Sequence, residues 1–132
     1  MDGCQLALSV AVMVQDKLLL DAVTQEKDAQ DSSVQKLQSA VSSAVAEIAR
    51  DFPSLENTTG DSDSCASGWA AYEELSMPNC ISAEMLAQLV ARNYCILCGR
   101  LDEAEIFDSR YDEYAVALRL KRRVKLRPRK FL

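Results

Sequence analysis

The chain has 132 residues, 48% of them hydrophobic and 27% charged, which are the proportions of one globular domain with a modest core. Its net charge of −5 hides a split: the residues before Arg119 hold all 20 acidic and 7 basic side chains, and the rest hold 8 basic and none acidic, so a −13 body carries a +8 end. Histidine is absent, which removes the commonest metal ligand and general base, and an odd count of five cysteines without a secretory signal speaks against a disulfide framework.

In chain order, residues 4–14 are apolar enough for a short buried helix. With Asp2 in place of a basic flank, it reads as a core helix of an intracellular protein and not as a signal peptide. No apolar run reaches the roughly 18–20 residues that a membrane span needs. Gln15, Asp16 and Lys17 interrupt the pattern, and Leu18 to Val23 resumes it as a second short helix around 16–24. Residues 25–31 read as a linker. Asp31, Ser32 or Ser33 then caps an amphipathic helix through about Arg50, with Val34, Leu37, Val41, Ala44, Val45, Ile48 and Phe52 at helical spacing and Pro53 as its boundary.

The stretch from about 53 to 81 is the least regular. Its polar run Glu56 to Ser64 is rich in turn residues, and Gly68 to Leu75 suggests one or two helical turns with Trp69, Tyr72 and Leu75 inward. A strongly apolar helix follows, capped by Ser82 and stopped after Cys98 by Gly99. Met85, Leu86, Leu89, Val90, Tyr94, Ile96 and Leu97 take more than half of its circumference, and Glu84, Gln88 and Arg92 share a narrow polar stripe. So apolar a helix is expected at the centre of the domain. The last helix starts near Asp102 with acidic residues where the helix dipole favours them, buries Phe107, Tyr111, Tyr114 and Leu118, and turns cationic at Arg119, Lys121, Arg122 and Arg123. Pro128 ends it by about Arg127, and residues 124–132 read as an extended basic arm attached to a domain of residues 1–123. With no strong strand signal, the expected fold is mostly α, a bundle of about four to five helices.

The candidate chemical sites are weak. Cys95 and Cys98 form a CxxC with Cys65 and Cys80 upstream, but the upstream pair is too widely spaced for a zinc ribbon, and the CxxC lies within a helix. Its cysteines read as small packing residues where another helix or subunit approaches. Asp61 and Asp63 resemble part of a calcium loop without its glycine and distal glutamate. Glu73, Glu74, Asp102, Glu103 and Glu105 read as solvated faces and dipole partners. Asn93, on the apolar face, reads as a satisfied amide that fixes packing, or else as a hydrogen bond between subunits. No phosphate-cradling loop and no nucleophile elbow are present, so neither an enzyme nor a cofactor is expected. The basic arm interleaves Val124, Leu126, Phe131 and Leu132 with its charges, which suits docking on an acidic partner better than a purely solubilising tail.

Ala40 to Ile48 in the pattern A-x-x-x-A-x-A-E-I, Phe52-Pro53 just after it, Leu86 to Leu97, and Arg110 to Ala115 after an acidic turn follow one another in an order that resembles the head–tail connector adaptors of tailed bacteriophages. The resemblance spans roughly residues 34–123 and rests on packing signatures. It implies a structural virion protein made in the host cytoplasm and placed in the neck, a ring of about twelve copies between the portal protein and a stopper or tail-completion protein. Genomic DNA would pass through its channel without sequence-specific binding. On this reading the portal-docking arm comprises Arg119, Arg122, Arg123, Lys125, Leu126, Arg127, Arg129, Lys130, Phe131 and Leu132, with cations facing an acidic surface and the last two residues as anchors. The alternative is a small nucleic-acid-binding regulator that sets the same cations on phosphates, against which stands the acidic body.

Overall fold

The structure, a computed structural model, describes residues 2–25, 31–52 and 80–126, with side chains described through Lys121. Five helices and no strands make up the described residues: α1 (Gly3–Val14), α2 (Lys17–Thr24), α3 (Ser32–Asp51), α4 (Ala83–Leu97) and α5 (Leu101–Leu126). Trp69, Tyr72, Leu75, Glu73, Glu74, Asp61, Asp63 and Cys65 lie outside the described residues.

Four of the five helices begin where a side chain accepts an orphan backbone N–H. Asp2 accepts from Cys4, Asp16 from Leu18 and Leu19, Asp31 from Ser33, and Ser82 from Met85 at 3.1 Å. Helix α1 ends on Gln15 in the left-handed conformation, at φ 54°. Helix α4 ends as its glycine requires: Gly99 has φ 78°, its N–H bonds to the Ile96 carbonyl, and the Arg100 N–H reaches back to Cys95 at 2.8 Å, a Schellman closure.

Helix α4 is central and packs on α1, α3 and α5. Nine of its fifteen residues are buried, with Leu86, Leu89 and Val90 fully so. The whole expected stripe of α3, from Val34 to Ile48 and on to Phe52, is buried. The contacts also set directions. Arg100, just past α4, donates to the Val14 carbonyl at the end of α1, so α1 and α4 run the same way. Arg92 meets Asp108 and Glu84 meets Tyr114, so α5 runs antiparallel to α4. Helix α5 therefore passes the start of α4 near Tyr114, still packs Ala115, Leu118 and Arg119 on the bundle, and projects from that end beyond Arg119.

Three expectations need correction. Ile96 and Leu97 are about half exposed, not core. Ile96 continues the four-residue spacing of Glu84, Gln88 and Arg92 and so falls on the outward stripe, whereas Leu97 sits in the final turn. Tyr114 and Leu118 are only half-buried against the core, because α5 is leaving the bundle there. Helix α5 runs through Leu126, so residues 124–126, expected as extended arm, are helical. The helix uses the full length that Pro128 permits, since the ring disfavours helical backbone only from Arg127 onward. Residues 127–132 lie outside the described residues.

Candidate functional site

Two features stand out, an ion-pair cluster inside the bundle and a surface groove on its α1 side. The cluster is built around Arg92 on α4. Its guanidinium donates to both oxygens of Glu47 on α3, at 2.8 and 2.7 Å, to Asp108 on α5 at 2.9 Å, and to the Oδ1 of the adjacent Asn93. Asn93 in turn donates its amide to the Ala40 carbonyl of α3 at 3.3 Å. Asn93 thus acts as a buried amide that fixes packing within one chain. Burial works against the Arg92 charge, but the hydrogen bonds to Glu47 and Asp108 outweigh it and hold its pKa above the usual value. One arginine in a planar fork geometry ties three helices together.

Two phenols do similar work. Tyr94 donates to Asp16 at 3.0 Å, using the carboxylate oxygen that does not cap α2, and Tyr111 donates to Asp51 at 3.1 Å. Burial first, then the neighbouring carboxylates, pushes both phenols far above their usual range. A raised phenol pKa in the folded state means that stability is fully present below the unfolded-state value near 10 and is lost as pH climbs past it. Alkaline titration followed by circular dichroism is therefore expected to unfold the chain above about pH 10, and Tyr94→Phe, which cannot ionise, should shift that transition upward. An alkaline limb unmoved by both Tyr94→Phe and Tyr111→Phe would contradict this.

The groove lies between α1 and the first turns of α4, with Tyr114 of α5 at one edge, and has a volume of about 610 Å³. That is within the roughly 300–1,000 Å³ of clefts that hold small ligands. Its apolar floor includes Leu8 and Val12 of α1, 39% and 62% exposed. Asp2 and Glu84 mark the end where both helices start, and Tyr114 donates to Glu84 at 3.1 Å. Gln88 also lines the groove, and its Oε1 is buried with no hydrogen-bond donor among the described residues, a cost of about 1–3 kcal/mol unless something supplies one.

Of the ten residues expected to form a docking arm, the structure places the first against its own bundle. The Arg119 guanidinium lies 5.1 Å from the centre of the Phe52 ring at the end of α3. Arg122, Arg123, Lys125 and Leu126 lie on the projecting end of α5, with only their backbone described; Arg127, Arg129, Lys130, Phe131 and Leu132 lie beyond it. Cys95 is fully buried in the core, where burial raises its thiol pKa and keeps it from acting as a thiolate, and Cys98 packs beside it. Among the described residues no group of three or more Cys, Asp or Glu side chains is placed to hold a metal, and no helix is long and apolar enough to cross a membrane. The sequence reading missed the Arg92 cluster and the groove. The only advance signal for the groove was that α1 is apolar on more faces than one core contact requires.

These features define a small, mostly helical protein with a charge-segregated final helix. No protein-family model, curated protein or solved structure shows significant similarity to the chain.

Proposed function

We propose that the chain is a structural protein of the bacteriophage neck, a head–tail connector adaptor that forms a ring between the portal and a stopper or tail-completion protein. The observation that carries this reading is the projecting α5. A chain whose residues before Arg119 carry −13 extends its last helix past the end of the bundle, and every cation after Arg119 lies on that extension or after it in the sequence. An acidic ring lets DNA slide through without adhering, because like charge repels the phosphates, while the cationic end is free to meet an acidic surface on the portal. The interior supports a scaffold role, since Arg92, Tyr94, Asn93 and Tyr111 all spend their polar groups on joining helices.

The same cations favour a second reading, binding to nucleic acid through phosphate contacts. One experiment separates the two. Full-length protein and a chain ending at Leu126 are incubated with purified portal complexes or with duplex DNA at moderate salt. The connector reading expects portal capture by the full chain, lost on truncation, and no retention of DNA. Capture by the truncated chain at full strength would remove residues 127–132 from the contact. Binding to DNA alone, falling steeply with salt, would replace the connector with the nucleic-acid reading.

A further inference from the structure

The groove between α1 and α4 leaves an apolar floor uncovered, and the chain itself carries a segment of matching chemistry. We propose that residues 127–132 of a second copy of this chain seat in that groove. The segment reads Arg127, Pro128, Arg129, Lys130, Phe131, Leu132. Phe131 and Leu132 suit the floor made by Leu8 and Val12, and the cations suit Asp2 and Glu84 at the groove's end. Pro128 disfavours a helix and presets an extended backbone, which costs less to lay along a groove.

Reach makes the contact intermolecular. Tyr114 stands at the groove's edge, and α5 then runs twelve residues away from it to Leu126, about 18 Å at 1.5 Å per residue. The six remaining residues span at most about 20 Å, so a chain's own segment is used up in returning to the edge. From there the groove extends the other way, along α1 toward Val12 and Met13. A neighbouring copy has no such constraint. The donor surface and the acceptor surface differ, so the contact is heterologous, repeats from copy to copy, and closes into a ring where the rotation allows. Both surfaces belong to this chain, so the contact can be tested without any portal. A portal docking on the same segment competes with it.

The test uses the full-length protein alone. Sedimentation is expected to show mass rising with concentration, and a chain ending at Leu126 is expected to stay monomeric under the same conditions. A labelled peptide of residues 124–132 should bind the truncated chain saturably and dissociate full-length oligomers. Val12→Glu, at a position 62% exposed and so compatible with the fold, should weaken peptide binding about tenfold or more by placing a charge on the apolar floor. Glu84→Gln should weaken it less and flatten its salt dependence. Absence of peptide binding, or binding unchanged by Val12→Glu with native circular dichroism, overturns the proposal. So does self-association that survives truncation at full strength.

Discussion

Replacing Leu89 by alanine is expected to lower the stability of the chain by about 3 kcal/mol, or roughly 10 °C in Tm. Leu89 is fully buried on the helix that packs against α1, α3 and α5, so the lost methyl groups leave a cavity that no single neighbour can collapse to fill. A domain of this size has of the order of 5–15 kcal/mol to lose in all. The companion substitution is Leu101→Ala, which removes the same atoms from a position 62% exposed at the start of α5 and should cost no more than about 0.5 kcal/mol. Chemical denaturation of the two variants checks both values. Equal losses would mean that α4 is not the centre of the core.

Arg92→Ala has the next largest expected effect, a loss of about 2 kcal/mol, less than the roughly 3–5 kcal/mol for breaking a fully buried pair. The reduction follows from exposure: the Arg92 and Glu47 side chains are 18% and 23% exposed, but Asp108 is 47% exposed and recovers water once its partner is gone. Glu47 and the amide of Asn93 recover less. In a double-mutant cycle, Arg92→Ala with Glu47→Ala should show favourable coupling above about 0.5 kcal/mol, because the second truncation removes the charge that the first left unpaired. Additive losses would show that the cluster is surface decoration.

Much of this architecture can be read from local pattern. The 3.6-residue repeat of Val34, Leu37, Val41, Ala44, Val45 and Ile48 is a property of consecutive residues, and so are the Ser82 cap and the Gly99 stop; each carries its physical cause within one or two turns of helix. Arg92 with Glu47 and Asp108 is a different kind of fact. Those partners lie 45 and 16 residues away, and no periodicity states which face of α3 will meet the polar stripe of α4. Ile96 shows the same limit from the other side, since an apolar residue on the outward stripe looks like core until the positions of the neighbouring helices are known. The groove is less legible still, because its walls come from opposite ends of the described chain. Of the arm, composition conveys the charge and the proline boundary.

The overhang of α5 makes the molecule an electric dipole on the scale of the whole protein. The helix is 26 residues long, about 39 Å, against 15 for α4; it begins with Asp102 and Glu103 and carries only cations among its charged residues from Arg119 onward. A body so polarised turns in the field of any charged surface before touching it, so encounters with an acidic partner begin cationic end first. Such orientation raises the rate of association more than it slows departure, and added salt cancels it by shortening the range of the field. The overhang thus fixes which way the protein faces on arrival, a choice made in solution, several ångströms before any side chain is in contact.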